Sequence, residues 1–144
     1  MSLSNVFDIA GSAMSAQTIR LNTTASNMAN AESVSSSSGE TYRARKPVFE
    51  LKAEDVLQPG VSPLGVQAGQ GVNVAGIVES DAPLRQEYNP GHPMADENGY
   101  VYYPNVNVVE EMADMISASR AFQINAEIMN TAKQMMQRVL TLGQ

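Results

Sequence analysis

The side chains that could carry out chemistry in this sequence are few and stand far apart. His92, the only histidine among 144 residues, lies between Gly91 and Pro93, a setting that favours a loop residue over a general base. The chain has no cysteine, which excludes disulfides and thiolate metal sites. A serine–histidine–aspartate site has no credible arrangement around one histidine, although composition alone does not exclude it. We therefore expect no catalytic residue, no metal ligand and no cofactor.

Two short stretches resemble ligand-binding loops only in part. Residues 96–99 read Asp-Glu-Asn-Gly, like part of a calcium loop, but the other ligands and the glutamate at loop position 12 are missing. Residues 69–71 read Gly-Gln-Gly, without the rest of a dinucleotide-binding fingerprint or its strand–helix context. We interpret the first stretch as a turn, in which Asn98 and Gly99 are a strong hairpin signal.

Three carboxylates, Glu110, Glu111 and Asp114, are close enough in sequence for acid–base work. Negative charge is also favourable at the N-terminal end of a helix, because it opposes the helix dipole. Asn107 followed by Glu110 has the spacing of a capping box, with asparagine in place of the usual serine or threonine. We therefore assign these side chains to the start of a helix and not to catalysis.

Each end of the chain, residues 1–32 and 106–144, carries side chains at alternating spacings of four and three, most of them apolar, which places them on one helix face. The N-terminal seam is Leu3, Phe7, Ala10, Met14, Gln17, Leu21, Thr24 and Met28. The C-terminal seam is Val108, Met112, Met115, Ser119, Phe122, Ala126, Met129, Lys133, Met136 and Leu140, and a second apolar stripe is Ile116, Ile124, Ile128, Met135, Val139 and Leu142. The spacing predicts two long amphipathic helices.

The middle of the chain, residues 33–105, has a different character. It contains all seven prolines, whose density rules out long helices, and short β-branched and aromatic runs that predict a small antiparallel β region. Four serines at 35–38 predict a solvated flexible linker, with a phosphorylation cluster as the lesser alternative, and residues 58–71 predict a mobile loop. The predicted fold is mainly α, with the terminal helices paired as a coiled-coil-like bundle around a Pro/Gly-rich antiparallel β insertion.

Pairing the two terminal helices would cover one stripe of the C-terminal helix and leave the other exposed. The second stripe packs either on the chain's own β region or on neighbouring subunits, and Met and Ala suit several slightly different neighbours.

A membrane-surface helix would usually be rich in Lys and Arg, and no segment reaches the roughly 18 apolar residues of a membrane span. The formal charge of −6 and the lack of a basic stripe argue against nucleic-acid binding. The N-terminus has no secretory signal pattern.

The end of the first helix carries a motif that resembles one in the axial proteins of the bacterial flagellum, meaning rod and hook. The motif is Ser26, Asn27, Met28, Ala29, Asn30 and Ala31. Its two asparagines are poor helix-interior residues, which predicts that they terminate the helix, and Asn30 is expected to do so through the left-handed backbone that asparagine tolerates. Residues 5–33 look like the N-terminal segment of proximal-rod proteins, and residues 88–144 look like their C-terminal half; the two segments together cover well over half of the chain. The most specific parts are "ADENGYV…PNVNVVEEM…SASRAFQ" and the end "LTLGQ". Glu32, Ser33 and the serine-rich insert depart from the general axial motif.

The resemblance implies a structural, non-enzymatic subunit of the basal-body rod, the drive shaft that transmits motor torque across the periplasm and forms the wall of the export channel. It implies export through the flagellar type III apparatus without a cleaved signal. It also implies helical assembly with copies of itself and other rod subunits, and contact with the MS ring and export-gate or adaptor proteins at the rod base. The residues expected to pack between subunits are Leu3, Phe7, Ala10, Met14, Leu21, Met112, Met115, Ile116, Phe122, Ile128, Met129, Met136, Val139 and Leu140.

The alternative function is a soluble helical adaptor or export chaperone that binds partner helices through a Met- and Ala-rich face. A rod subunit is expected to be poorly folded at its termini when alone, whereas an adaptor would be fully helical and melt cooperatively. Circular dichroism of the purified chain distinguishes the two.

Overall fold

A computed structural model describes residues 3–52 and 71–142 of the chain. Two long helices, α1 (Leu3–Asn30) and α2 (Val108–Leu142), enclose four strands in sequence: β1 (Arg45–Leu51), β2 (Val72–Glu79), β3 (Arg85–Tyr88) and β4 (Tyr100–Tyr103). The strands form two separate two-stranded antiparallel sheets, β1–β2 and β3–β4. The prediction of a mainly helical chain with a small antiparallel β region is confirmed. The mobile loop predicted for residues 58–71 lies, apart from Gly71, outside the described residues.

The two helices pack against each other in opposite directions. Asn27 near the end of α1 contacts Glu111 near the start of α2, while Val6 near the start of α1 lines the same groove as Ala132. At 1.5 Å per residue, α1 is about 42 Å long and α2 about 52 Å long. The last two turns of α2 therefore extend beyond the described start of α1.

Small and polar side chains form the helix–helix contact. Ala10 and Thr24 on α1, and Ala118 and Ala132 on α2, are buried. On α2 the buried positions include Glu111, Ala118 and Ala132, which share a seven-residue repeat but lie one position before the predicted seam at Met112, Ser119 and Lys133. Met112 is 51% exposed whereas Glu111 is 3% exposed, so the predicted seam is wrong by one residue at these positions. Its intervening members Met115 and Met129 are half-buried.

The β1–β2 hairpin lies along α1. Its base is tied to Asn27 through the backbone of Arg45, and its far end is tied to Ser12, whose Oγ accepts a hydrogen bond from the backbone N–H of Val72 at 3.1 Å. Gly71 has a φ of 136°, and a Cβ at this position would lie 2.2 Å from the Ser12 hydroxyl. Only glycine therefore allows the strand to approach the helix this closely.

The β3–β4 ribbon is extended by the serine-rich segment. Ser35 and Tyr102 exchange two backbone hydrogen bonds of 3.1 Å, and Ser35 is buried. Further along the segment, the Thr41 hydroxyl donates to the carbonyl of Ser37 at 2.8 Å. The prediction of a solvated flexible linker is wrong at this segment, because its backbone finds partners on β4 and within its own turn.

The turn at Asn98 and Gly99 exists, but it does not join two strands directly. Residues 89–99 connect β3 to β4, and Asp96 begins a turn inside this connection. One carboxylate oxygen of Asp96 accepts the N–H groups of Asn98 and Tyr100, at 2.9 and 2.8 Å. Gly99 takes the positive φ of 81° that this turn requires. The hairpin signal thus marks the entry to β4.

Candidate functional site: a polar junction and two exposed helix stripes

Asn27 is the centre of a buried hydrogen-bond network between α1, β1 and α2. Its Nδ2 donates to the carbonyl of Arg45 at 2.8 Å and to Oε1 of Glu111 at 3.0 Å. Its Oδ1 accepts the N–H of Arg45 and the hydroxyl of Tyr42, both at 2.9 Å. The side chain is 1% exposed, and its two donors and two acceptor sites are all used. The residue therefore bridges three segments, and it does not terminate α1.

The other asparagine of the motif, Asn30, lies at the end of α1 and bonds to the helix backbone with its side chain. Asn30 is the last residue of α1, and its Nδ2 donates to the carbonyl of Ser26 at 2.8 Å. No non-glycine residue in the described part of the chain has a positive φ. The expectation that Asn30 ends the helix through a left-handed backbone is wrong. Ala31 is buried, Met28 is half-buried and Ala29 is exposed.

The three carboxylates at the start of α2 each bind a different side chain of another element. Lys46 Nζ on β1 donates to Glu110 Oε1 at 2.7 Å, and Arg20 Nη2 on α1 donates to Asp114 Oδ1 at 2.6 Å. Glu111 accepts from Asn27, as described above. The helix-cap interpretation is correct for Asn107, whose Oδ1 accepts the N–H of Val109 at 3.1 Å. The reciprocal half of the predicted capping box is replaced by the Glu110–Lys46 ion pair.

We call this set of contacts the junction; its members are Arg20, Asn27, Tyr42, Arg45, Lys46, Glu110, Glu111 and Asp114. The hydrogen bond to Glu110 raises the pKa of Lys46 above its ordinary value of 10.5, and the charges of Glu110, Asp114 and Glu111 act in the same direction against a partial burial that lowers it. The junction holds the first two turns of α2 against both α1 and β1. It is therefore suited to fixing the orientation of the β region on the helix pair.

The side chains that could bind a metal ion or act as a base do not cluster in the described part of the chain. No group of three or more His, Asp or Glu side chains there is arranged to hold a metal ion. The Nδ1 of His92 accepts a hydrogen bond from the backbone N–H of Met94 at 3.1 Å, so this side chain stabilises the local turn of its loop.

Large apolar side chains lie on both flanks of the α2 contact face. Exposed members of the predicted packing set are Met112, Ile116, Phe122, Ile128, Met136, Val139 and Leu140. Phe7, Met14, Leu21, Met115 and Met129 are half-buried, Ala10 is buried, and the side chain of Leu3 lies outside the description. The predicted residues are therefore not brought together in one intramolecular core, and half of them are exposed and available to another molecule.

Two shallow grooves follow these flanks. A groove of about 310 Å³ between the helices is lined by Val6, Ile124, Glu127, Ile128, Thr131, Ala132 and Met135. A second groove of about 490 Å³ on α2 is lined by Ala113, Ile116, Ser117, Arg120, Ala121 and Ile124. In both grooves isoleucine side chains lie beside a smaller alanine, which gives the ridges and grooves into which another helix packs.

Known proteins resemble this chain at both ends and along its whole length. Residues 7–34 match the family described as "Flagella basal body rod protein", and residues 97–142 match "Flagellar basal body rod FlgEFG protein C-terminal". The flagellar basal-body rod proteins FlgC of Salmonella typhimurium and Yersinia enterocolitica are each 53% identical to it over 144 residues, covering all of both chains. FlgC of Borreliella burgdorferi is 36% identical over 151 residues, covering 100% of this chain and 99% of that protein. This chain belongs to the family of flagellar basal-body rod proteins.

The rod protein is accordingly a non-enzymatic structural subunit of the bacterial flagellum, located in the rod of the basal body. The expected family and function are confirmed, and the adaptor or chaperone alternative is not favoured. Among the described residues, neither helix has an apolar stretch that is long enough to cross a bilayer.

Half of the junction residues carry no signal in the sequence pattern. Asn27 belongs to a motif, and Glu110, Glu111 and Asp114 are predicted as helix-start charges. No role is predicted for the other members, which are Arg20, Tyr42, Arg45 and Lys46. Glu111 was one available signal. It occupies the same position of the seven-residue repeat as Ala118 and Ala132 and has methionines beside it, so it is expected to be buried on the helix. A buried glutamate needs a polar partner.

Proposed function

We propose that this rod protein assembles through the large apolar side chains that flank its helix pair, while the junction sets the direction in which the β region leaves that pair. The main observation is that on α2 small side chains are buried and large apolar side chains are exposed, the reverse of the usual pattern of burial. Its small residues Ala118 and Ala132 are buried, whereas Ile116, Phe122 and Ile128 are exposed. Large apolar side chains are normally covered in a folded protein, so a surface outside the subunit is needed to cover these.

The placement of the exposed side chains supports neighbours on two sides. Met112 and Phe122 lie on one flank of the contact face, and Ile124 and Ile128 lie on the other. One subunit can therefore contact one neighbour through one flank and a second neighbour through the opposite flank. Contacts between unlike faces generate an open helical array when the rotation between copies does not close a ring.

The same arrangement supports a division of the chain into an inner helical part and an outer part. Residues 1–32 and 106–144 would form the inner domain as a coiled-coil-like pair, and residues 33–105 would form the loop-rich Pro/Gly β domain. The seven-residue repeat of Glu111, Ala118 and Ala132 supports this pairing, since it is the repeat of a coiled-coil seam. Paired stiff helices aligned near the rod axis would resist twist and transmit motor torque across the periplasm, and their packed tube would form the wall of the export channel.

The proposed partners are copies of the same chain and other rod subunits, with the MS ring and export-gate or adaptor proteins at the rod base. The flagellar type III apparatus would export the chain without cleavage of a signal. The overhanging end of α2, where Val139 and Leu140 are exposed, supports a further contact below or above the helix pair. On the β1–β2 hairpin, Leu51, Ile77 and Val78 are also exposed and would be covered by neighbours.

A charge placed at the exposed Phe122 or at the half-buried Met129 tests the proposal. In a strain that lacks the chromosomal gene, Phe122→Asp or Met129→Asp should abolish rod completion and motility while expression and export continue. Asn22→Asp is the control for the added charge, because Asn22 is an exposed polar residue of α1 that lies about 200° around the helix from the buried Thr24. Thermal unfolding of each purified variant separates a folding defect from an assembly defect. Normal motility in the Phe122 and Met129 variants would refute the proposal.

A further inference from the structure

The larger of the two grooves, which we call the α2 groove, carries a single charge. It is lined by Ala113, Ile116, Ser117, Arg120, Ala121 and Ile124. Ile116, Arg120 and Ile124 are exposed, and Arg120 belongs to none of the ion pairs within the described structure. The groove therefore combines uncovered apolar side chains with a guanidinium that has no carboxylate beside it. These features fit a helix that brings one acidic side chain.

The outward side of α1 carries the matching charge. Asp8 is the only acidic residue of α1, it is exposed, and it forms no ion pair among the described residues. Gly11 and Ser15 follow it at spacings of three and four residues, so the three positions share one side of the helix. We call this side the outer face of α1 and define it by Asp8, Gly11 and Ser15.

Gly11 on the outer face has no packing role that the described residues reveal. A Cβ added to Gly11 would have no atom of another element within 4 Å, in contrast to Gly71, where it would meet the Ser12 hydroxyl. Glycine weakens the interior of a helix relative to alanine. A glycine that the subunit's own packing does not require is explained if another chain approaches the helix closely at this point.

The α2 groove and the outer face of α1 lie on opposite sides of the helix pair. At 100° per residue, the outer face is about 150° around α1 from the side that buries Ala10 and Thr24. The groove is centred about 110° around α2 from the side that buries Ala118 and Ala132. Because the two helices are antiparallel, these rotations carry the two faces in roughly opposite directions. A copy displaced sideways without reversal therefore brings its outer face onto the groove.

We propose that the α2 groove receives the outer face of α1 from a second copy of this chain, and that Asp8 of that copy pairs with Arg120. The contact rests on the helical assembly proposed above and adds which helix covers this part of α2. It joins unlike faces, as an open helical array requires.

The pairing of Asp8 with Arg120 fixes the register of the contact. Copies in a helical array have the same direction along its axis, so α1 of the second copy runs antiparallel to α2. Counting residues in opposite directions from the ion pair places Gly11 level with Ser117, and Ser15 level with Ala113. Helix α2 begins at Val108, so the contact ends before it reaches Asn22 of the second copy.

Disulfide crosslinking tests this register, because the chain has no cysteine of its own. Differently tagged chains with Ser15→Cys and with Ala113→Cys are co-expressed in a strain that lacks the chromosomal gene, and isolated basal bodies are oxidised. We expect a dimer that carries both tags. Asn22→Cys in place of Ser15→Cys is the matched control, since Asn22 is exposed about 10 Å further along α1. No dimer with Ser15→Cys, or an equal amount with Asn22→Cys, would overturn the proposal.

Charge reversal tests whether the second chain is a copy of the first. Asp8→Arg and Arg120→Asp each bring like charges together and should reduce swimming-plate diameter. The combined variant restores an ion pair between copies and should recover the diameter. Loss in both single variants without recovery would assign the groove to a different rod subunit, and unchanged motility in both would remove the ion pair; either result overturns the proposal.

A bulky side chain at Gly11 tests the close approach. Gly11→Met should leave the urea midpoint of the purified chain unchanged or higher, because the site is open and methionine is the better helix former. It should nevertheless abolish motility, whereas the exposed control Asn22→Met stays motile. A fully motile Gly11→Met strain, or a lowered midpoint, would count against the proposal.

The Phe122 variant separates this contact from the assembly proposal on which it rests. If Phe122→Asp prevents rod completion but the Ser15–Ala113 crosslink is absent in otherwise unchanged rods, only the contact described here is refuted. If Phe122→Asp also assembles normally, the assembly proposal fails with it.

Discussion

At the scale of single residues, Asn27 shows what a local pattern leaves out. Its position near the end of an alanine-rich helix predicted a terminating role, because short amides compete with the helix backbone. The structure uses the amide to bind groups that are 18 and 84 positions away in sequence. No window along the chain contains these partners, so the motif could be recognised in the sequence whereas its hydrogen bonds could not.

Removing the Asn27 side chain should destabilise the subunit strongly. Asn27→Ala leaves the buried Glu111 carboxylate and the Arg45 backbone groups without their partner, a loss of about 2–4 kcal/mol. The free energy of unfolding in urea measures it. Asn22→Ala is the matched control, since Asn22 is exposed on the same helix and alanine is the better helix former. A similar loss of unfolding free energy in both variants would show that the hydrogen-bond network around Asn27 does not stabilise the subunit.

The raised pKa of Lys46 should make the contribution of its ion pair with Glu110 depend on pH in the alkaline range. Because the folded-state pKa of Lys46 is raised above 10.5, its contribution is fully present below that value and is lost as pH rises through the raised pKa. Lys46→Gln should therefore be less stable than the parent at neutral pH, and the difference should shrink above pH 10.5. Both side chains are more than half exposed, so the effect is small and should fall with added salt.

Urea unfolding of the parent and Lys46→Gln across this range measures the difference between them. Lys133→Gln is the control, because Lys133 forms no ion pair within the described structure. A difference between parent and Lys46→Gln that persists unchanged above the raised pKa would contradict the assignment.

At the scale of elements, the sequence predicted both helices, their approximate ends and their seven-residue repeat, but placed the contact one position away. Sequence periodicity identifies the most apolar side of a helix, and here that side flanks the contact instead of forming it. Ala118 and Ala132 scarcely stand out in the sequence, although their small size allows the helices to approach. The error and the proposed function have the same cause: the largest side chains are arranged for contacts outside the subunit.

Substitutions on the two sides of α2 should separate folding from assembly. Ala118→Leu adds volume where the residue is 0% exposed, and should destabilise the subunit by about 1–3 kcal/mol. Ile116→Ala removes an exposed side chain, so its effect on subunit stability should stay within about 0.5 kcal/mol while motility falls. Urea unfolding and swimming-plate diameter measure the two effects. A stable, fully motile Ile116→Ala strain would remove this residue from the packing surface.

At the scale of the whole molecule, the junction explains how a chain with a limited core can still have a defined shape. The largest fully buried side chains in the described structure are Val101 and Asn27, so apolar packing alone supplies little rigidity. Ion pairs and hydrogen bonds from the start of α2 hold both α1 and β1 at one end of the helix pair. At the other end of the helix pair, the last two turns of α2 extend beyond the described start of α1.

This asymmetry predicts how the isolated subunit should open. Amide hydrogen exchange reports local opening, and segments with few buried contacts exchange without global unfolding. In the purified chain, residues 136–142 should exchange much faster than residues 111–118, because the former extend beyond α1 and the latter are held by the junction. In assembled rods the slow exchange should extend to residue 142, since neighbours cover the overhang. Mass spectrometry of both samples measures this, and equal protection of the two segments in the isolated chain would show that α2 is stable without a neighbouring subunit.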